Sequence, residues 1–158
     1  MPAARLVAVP VAGGDAGLSA ALLAAGLPVN DLAEPGRLFW RFAAEDGAGG
    51  SCVGYGGLEP LGAHALLRSL VALPEARGQG HGRDMAGQLL ALAAEGGATR
   101  AWLLTDTAAA FFESLGFVRA ERRDAPATVL ATRQASSICG TAPLLTRALG
   151  GPHSVHAG

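Results

Sequence analysis

The chain has 158 residues, a length typical of a single domain. Half of the residues are hydrophobic and 16% are charged, which excludes an intrinsically disordered protein. Lys and Arg number 12 and Asp and Glu number 13, so the chain lacks the basic surplus typical of nucleic-acid binders.

The first half of the chain is predicted to form strands with one intervening helix. Apolar and aromatic-rich runs predict strands at Arg5–Val11, Arg37–Ala44, Ser51–Leu58 and Ala63–Val71. The helix follows Asp15, a residue type favoured as an N-cap, and carries apolar residues at helical spacing from Leu18 to Ala25. Gly26 and Pro28 end it. Because short turns join the later strands, we expect an antiparallel meander.

The second half alternates helices and strands. The periodicity predicts a helix over Arg83–Glu95, a strand over Arg100–Thr105, a helix over Ala110–Leu115, a strand over Phe117–Arg122, a helical piece over Ala125–Thr132 and a strand over Pro143–Leu149. Thr107 is the candidate N-cap of the middle helix. This order predicts an α+β domain with a mixed sheet over residues 1–150, followed by a disordered tail over residues 151–158.

The cysteine pattern and the apolar runs indicate the expected compartment. Cys52 and Cys139 lie far apart without a Cys-x-x-Cys partner, so we expect reduced thiols and neither a disulfide framework nor a metal site. No apolar stretch reaches the roughly 18 residues of a membrane span, and Pro10 breaks the N-terminal run. The sequence therefore predicts a cytoplasmic protein that binds neither membrane nor nucleic acid.

One loop carries the clearest functional signal. Between a predicted strand and a predicted helix the chain reads Arg77-Gly78-Gln79-Gly80-His81-Gly82. Glycines let the backbone approach a ligand closely, and the free N–H groups of a helix N-terminus bind anions. Arg77 and Arg83 add two positive charges that suit phosphate. The loop therefore predicts recognition of a pyrophosphate group.

The spacing of the glycines distinguishes between the known classes of phosphate-binding loop. A Walker A loop needs Lys before Ser or Thr, and no Lys lies nearby. The Rossmann pattern fails because its third glycine comes one residue early, at Gly82. The spacing Arg77-x-x-Gly80-x-Gly82 resembles the [Arg/Gln]-x-x-Gly-x-[Gly/Ala] loop of GNAT-type acyltransferases. From this pattern alone, a plain glycine cluster at a strand–helix junction is the alternative.

Longer strings extend the resemblance from Leu6 to Leu149. SLVALPEARGQGHGRDMAGQLLALA resembles the GNAT strand–loop–helix unit, and TDTAAAFFESLGF resembles the second family signature. GLEPLGAHALLRSLVALP, RDAPA and QASSICGTAPLL are similar to the arsenic-resistance N-acetyltransferase-like branch of the superfamily. LLT-x-T and FFESLGF also resemble the acetyltransferase domain of N-acetylglutamate synthases.

The resemblance implies both a fold and a reaction. The implied fold is a GNAT-like, mostly antiparallel, twisted sheet flanked by helices. The implied activity is that of an N-acetyltransferase that uses acetyl-CoA as donor substrate. The acceptor would be a small amino-acid-like amine, such as glutamate or a glutamate analogue, which attacks acetyl-CoA directly in a ternary complex.

The resemblance also implies the residues that bind CoA. Backbone groups of Val71 and Ala72 would meet the pantetheine arm and the thioester carbonyl, and N–H groups of the loop would bind the pyrophosphate. The full implied set is Val71, Ala72, Arg77, Gly78, Gln79, Gly80, His81, Gly82, Arg83, Thr105, Phe111 and Phe112. Phe112 stands where the superfamily usually has a Tyr that protonates the leaving thiolate, so that acid is missing here.

Charged residues in apolar sequence are candidates for the acceptor side. Glu59, at the end of the strand that begins at Ser51, is the candidate general base, and a solvent-facing glutamate is the alternative. Arg68 lies inside the run ALLRSLV, where it either holds an acceptor carboxylate or pairs with Glu59 across the sheet. Alternation places Arg68 and Leu70 on one face of the strand and Ser69 on the other. The other candidate acceptor residues are Arg37, Ser69, Arg133 and Ser137.

Two other functions remain open from the sequence. The missing Tyr favours a non-catalytic acyl-CoA-binding GNAT domain that acts as a sensor or partner module. The loop is also compatible with another phosphorylated ligand, such as a nucleotide. An exposed C-terminal strand leaves pairing in a homodimer open.

Overall fold

The computed structural model describes residues 5–45, 50–78, 80–138 and 141–150. Gln79, Cys139 and the predicted tail at residues 151–158 lie outside the described residues, as does the side chain of Ser137. The chain forms two compact units. Unit 1 spans Met1–Leu58 and Ser69–Leu89, and unit 2 spans Glu59–Arg68 and Leu90–Gly158.

Strands and helices alternate along the described residues much as predicted. The strands are β1 (Arg5–Val11), β2 (Leu38–Glu45), β3 (Ser51–Leu61), β4 (His64–Ala72), β5 (Arg100–Leu104), β6 (Val118–Ala120) and β7 (Leu144–Ala148). The α-helices are α1 (Ala16–Ala24), α2 (His81–Glu95), α3 (Ala109–Glu113) and α4 (Ala127–Leu130). The strands of the described residues form one sheet in the order β1-β2-β3-β4-β5-β7-β6.

The pairing of the strands confirms an α+β fold with a mixed, mostly antiparallel sheet. In unit 1, β2 pairs antiparallel with β1 and with β3. In unit 2, β7 pairs antiparallel with β5 and with β6, while β4 pairs parallel with β5 over His64–Leu66. Because β7 has a partner on each side, the expected exposed C-terminal strand was wrong.

Helix α1 anchors the core of unit 1 as the sequence predicts. The Asp15 carboxylate accepts a hydrogen bond from the Leu18 N–H at 3.0 Å, which satisfies one orphan donor of the first turn. Leu18 and Leu22 are fully buried and pack with Phe39 and Tyr55 of the sheet. A left-handed glycine, Gly26, follows the end of the helix.

Two glycines of β3 let α2 pack against the backbone of the sheet. A Cβ at Gly54 would contact the Val71 carbonyl oxygen of β4 and would lie 2.7 Å from Met85 Sδ of α2. A Cβ at Gly56 would lie 2.7 Å from Leu89 Cδ1, also of α2. Side chains at these positions would push the helix outward, so the glycines determine how closely α2 packs on β3.

Unit 2 has its own core under β4, β5 and β7. Leu66, Trp102, Val129 and Leu144 are buried together. The Trp102 indole N–H donates to His64 Nδ1 at 2.9 Å, which satisfies a buried donor between the paired strands.

The structure corrects several local predictions. Strand β3 extends to Leu61, so Glu59 lies within the strand rather than at its end. Ser69 adopts a left-handed backbone with φ of 59°, which interrupts the predicted alternation along β4. The predicted strand at residues 117–122 is shortened to β6. The N-cap of α3 is Ala108 and not Thr107, and the Ala108 N–H donates to Thr105 Oγ1 at 2.9 Å.

Neither a membrane-crossing helix nor a metal-binding cluster occurs in the part of the chain that the structure describes. No described helix is both long and apolar enough to cross a membrane. The described residues also contain no group of three or more His, Cys, Asp and Glu side chains placed to hold a metal ion.

Candidate functional site

The predicted phosphate loop lies in unit 1 between β4 and α2. A short 3₁₀ helix, Pro74–Ala76, follows β4, and the chain then turns through Gly78 and Gly80 into α2. Both glycines adopt left-handed backbone conformations, with φ of 81° and 79°. Among the described residues nothing lies within 4 Å of a Cβ at either position, so this backbone is open to close approach.

The loop leads into the N-terminus of a long helix. Helix α2 has 15 residues, and its first N–H groups have no acceptor inside the helix. The helix dipole places partial positive charge at this end. Arg77 and Arg83 are exposed beside it, and Asp84 is the acidic residue of the first turn. The backbone and the two arginines together can hold an anion such as pyrophosphate.

The side chain of Arg77 ties the loop to the end of β4. Its Nε donates to the Ala72 carbonyl oxygen at 3.2 Å, and its backbone N–H donates to the Pro74 carbonyl at 3.3 Å. Val71, the residue before Ala72, is buried in the core of unit 1. The predicted CoA residues of unit 1 thus lie along the end of β4, the loop and the start of α2. Gln79, which belongs to this set, lies outside the described residues.

Glu59 and Arg68 form an ion pair within unit 2. Arg68 Nη1 lies 2.9 Å from Glu59 Oε2, and the side chains are 0% and 5% exposed respectively. A buried ion pair costs desolvation on both sides, and its charges compensate one another only while both are present. This geometry matches the alternative stated for Arg68, a pair with Glu59 across the sheet.

Phe112 is part of an aromatic cluster in unit 2. It is 8% exposed, and its ring packs edge-on against Phe111 at 5.0 Å and Phe117 at 5.6 Å between centroids. Thr105 is half-buried and, as the acceptor of the Ala108 N–H, fixes the start of α3. Thr105, Phe111 and Phe112 therefore lie on or next to one short helix.

The remaining acceptor candidates are spread along the chain. Arg37 donates through Nε and Nη2 to the fully buried Asp31 carboxylate at 3.2 and 3.0 Å, and through Nη1 to the Pro35 carbonyl at 2.7 Å. Arg133 is exposed just before a π-helical segment, Gln134–Ile138. Among these candidates, Arg37 thus has its strongest contacts within its own loop.

Sequence reasoning missed an unusual environment around the only tyrosine. Tyr55 is buried in unit 1, where burial, a hydrogen bond with Cys52 and the nearby Asp15 carboxylate raise its pKa to about 12. A Cβ at Gly17, in the first turn of α1, would collide with the Tyr55 hydroxyl, so the position requires glycine. The available sequence signal was Gly17 itself, because a glycine inside a predicted helix costs about 1 kcal/mol relative to alanine and usually has a packing reason.

Arg122 was also missed. Its guanidinium donates to the carbonyl oxygens of Ala135 and Ala142 at 3.1 and 3.0 Å, which fixes the segment before β7. Nothing in the local sequence distinguishes Arg122 from the exposed Arg123 beside it.

A family model and several solved structures match the chain. The model described as the acetyltransferase (GNAT) family matches residues 19–117. N-acetylglutamate synthase from Neisseria gonorrhoeae, complexed with coenzyme A and N-acetyl-glutamate, has a TM-score of 0.71 and 18% identity, over 94% of this chain and 36% of that one. The present chain therefore spans about a third of the synthase.

Two further structures share the fold. A GNAT acetyltransferase from Staphylococcus aureus has a TM-score of 0.69 and 16% identity, over 92% of this chain and 99% of that one. A Mycobacterium tuberculosis protein in complex with CoA has a TM-score of 0.56 and 22% identity, over 70% of this chain and 75% of that one. No curated protein matches the sequence.

Proposed function

This chain belongs to the acetyltransferase (GNAT) family, and from that membership we propose that it acetylates the amine of a small amino-acid-like acceptor. The chain is an N-acetyltransferase, and acetyl-CoA is the donor that this family uses. Glutamate or a glutamate analogue is the first acceptor to test, since a structure with this fold is a synthase complexed with N-acetyl-glutamate.

The observation that carries the proposal is the loop that opens α2. Left-handed Gly78 and Gly80 leave the backbone accessible, and the first N–H groups of the 15-residue helix follow directly. We assign these N–H groups, with Arg77 and Arg83, to the CoA pyrophosphate. Backbone groups of Val71 and Ala72 would then meet the pantetheine arm and the thioester.

The reaction requires one bond to form and one to break. The amine nitrogen attacks the thioester carbonyl carbon, and the C–S bond breaks as the N–C bond forms. A backbone N–H aimed at the carbonyl oxygen stabilises its developing negative charge. The amine must also lose a proton, and we assign that proton to Glu59, directly or through water.

The leaving group needs little help from the protein. The CoA thiol resembles that of Cys, with a pKa near ~8.5, so the departing thiolate is stable and can take a proton from water. Phe112 in place of the usual Tyr is therefore compatible with turnover. It also favours the second candidate function, a CoA-binding sensor domain, which binding without thiol release would indicate.

The loop assignment is tested with Gly80→Asp. The new carboxylate would face the pyrophosphate at close range, and like charges there cost several kcal/mol, so we expect CoA affinity to fall at least about tenfold. Gly26→Asp is the matched control, because Gly26 is exposed, has φ of 72° and has no described neighbour within 4 Å of a Cβ. Calorimetric titration with CoA measures both. Equal affinities in the two variants would refute the assignment.

The acceptor is identified by screening. We expect thiol release from acetyl-CoA with one or a few amino acids of a panel, and mass spectrometry then locates the added acetyl group. The resemblance to the arsenic-resistance-like branch extends the panel to arsenic-containing amino acids. Stabilisation by ATP and not by CoA would instead favour a nucleotide ligand.

Glu59 and Arg68 are tested on the acceptor side. Glu59→Gln keeps the shape of the side chain, so we expect kcat to fall while acetyl-CoA affinity is kept. Arg68→Lys keeps a charge but loses the bidentate fork, so the acceptor KM is expected to rise more than kcat falls. If acetylation of the true acceptor is unchanged in both variants, the pair is structural and Arg133 and Ser137 become the next candidates.

We further propose acceptor roles for Arg37 and Ser69, a cytoplasmic location and a homodimer. We expect neither nucleic-acid nor membrane partners.

A further inference from the structure

We propose that Arg77 braces the pyrophosphate loop against the end of β4, and that CoA binding depends more on this hydrogen bond than on the charge of the guanidinium. Besides offering its charge to the pyrophosphate, Arg77 is then a positioning residue that acts through the loop backbone. The inference rests on the proposed function, because it explains how the CoA loop is held ready.

The brace is visible in the hydrogen bonds around the loop. Arg77 Nε donates to the carbonyl oxygen of Ala72, the last residue of β4, at 3.2 Å. The strand is itself fastened at this end, since the Leu73 N–H donates to the Val53 carbonyl of β3 at 2.8 Å. A hydrogen bond from its side chain therefore links Arg77, the first residue of the loop, to the Ala72 carbonyl at the end of β4.

The loop needs such a link because two of its described residues are glycines. Gly78 and Gly80 have the widest conformational freedom of any residue type, and both must be left-handed for the chain to enter α2 as it does. Ordering each backbone residue of such a loop costs conformational entropy. A loop that is already ordered before the ligand arrives avoids part of that cost on binding.

The chemistry of the side chain separates the hydrogen bond from the charge. In Arg the Nε donor is attached to Cδ, and in Gln the Nε2 donor is attached to the same carbon, so both place an N–H the same number of bonds from Cα. Lys has a methylene at that position and Met has a methyl group.

Three substitutions of Arg77 therefore separate the effect of the hydrogen bond from the effect of the charge. Arg77→Gln keeps the donor and removes the charge, Arg77→Lys keeps the charge and removes the donor, and Arg77→Met removes both. Because Arg77 is exposed, all three variants should fold. A lost hydrogen bond corresponds to about fivefold in affinity and a lost surface charge to about twofold.

The first measurement is acetyl-CoA affinity by calorimetry. We expect the dissociation constant to rise about twofold in Arg77→Gln, about fivefold in Arg77→Lys and about tenfold in Arg77→Met. An Arg77 that acted only as a phosphate ligand would reverse the first two, with Lys closer to the wild type than Gln. That order would overturn the proposal.

The second measurement needs no ligand. NMR order parameters of the Gly78 and Gly80 amides should stay close to those of α2 in the wild type and in Arg77→Gln, and fall toward about 0.6 or lower in the Lys and Met variants. Order parameters that are equal in all three variants would overturn the brace. If the wild type does not bind CoA, the proposed function fails, and the order parameters alone still decide whether the brace exists.

Discussion

Replacing Gly54 by Ala tests how the position of α2 is determined. Gly54 lies in β3, and the added methyl group would meet two atoms on opposite sides of the phosphate loop. One is the Val71 carbonyl oxygen near the end of β4, and the other is Met85 Sδ in α2, at 2.7 Å. Real Cβ atoms essentially never approach another atom within 3.0 Å, so something must move.

The magnitude follows from which atom is in the way. Met85 is a flexible side chain that can adjust, but the Val71 carbonyl is backbone within a paired strand and cannot rotate aside. Overpacking of this kind costs about 1–3 kcal/mol, and we expect the upper part of that range. Ala loses less backbone entropy than Gly on folding, which offsets about 0.5–1 kcal/mol. The net loss is about 2 kcal/mol, or about 4–8 °C in Tm for a chain of this size.

The assay is chemical and thermal unfolding of the variant beside two controls. Gly87→Ala changes an exposed glycine in the middle of α2 that has no described neighbour within 4 Å, and should stabilise the protein by about 0.5–1 kcal/mol. Gly56→Ala meets only side-chain atoms, with Leu89 Cδ1 at 2.7 Å, and should cost less than Gly54→Ala. CoA affinity, measured below the unfolding transition, should fall in Gly54→Ala and not in Gly87→Ala.

One result would refute this reasoning. If Gly54→Ala unfolds at the same denaturant concentration as the wild type and binds CoA equally well, then α2 does not depend on the bare backbone of β3. An equal loss in Gly54→Ala and Gly56→Ala would show that backbone and side-chain obstacles are equivalent here, which also contradicts the argument.

Three further predictions concern single residues. Burial raises the pKa of Tyr55, the single tyrosine, to about 12, so absorbance titration should show it ionising well above pH 10. The free energy of unfolding should fall between pH 10 and about 12, because tyrosine in the unfolded chain ionises first. A titration midpoint near pH 10 would contradict this. Arg68→Met leaves Glu59 buried without this partner and should lower the free energy of unfolding by about 3–5 kcal/mol. The double variant Glu59→Leu/Arg68→Met should recover most of that loss. If it recovers nothing, the broken ion pair is not the cause of the loss. Phe112→Tyr should keep the fold and raise kcat by supplying an acid, and a large drop in Tm without a gain in kcat would show that the ring serves packing alone.

The sequence predicted those features that depend on neighbours along the chain. Asp15 caps α1 because its carboxylate reaches an N–H only three residues away, and that geometry is the same in any fold. Gly26 ends α1 because glycine adopts the positive φ of a helix C-terminus without strain. The α+β class followed from the same local periodicities, and all of these were confirmed.

The tertiary structure decided which distant groups meet. The sequence left two partners open for Arg68, and only the pairing of strands selected Glu59. The insertion of β7 between β5 and β6 likewise removed the expected free edge.

The phosphate loop depends both on residues near it in the sequence and on residues that only the folded chain brings close. Its composition and its place before a helix are local, so the sequence by itself was enough to predict an anion site at Arg77, Gly78 and Gly80. How the loop is held is not local, since it depends on the Ala72 carbonyl that faces Arg77 and on Gly54, which lets Val71 and α2 approach β3. Backbone conformations and caps are set by interactions over a few residues, whereas contacts between strands and helices exist only once the sheet has formed.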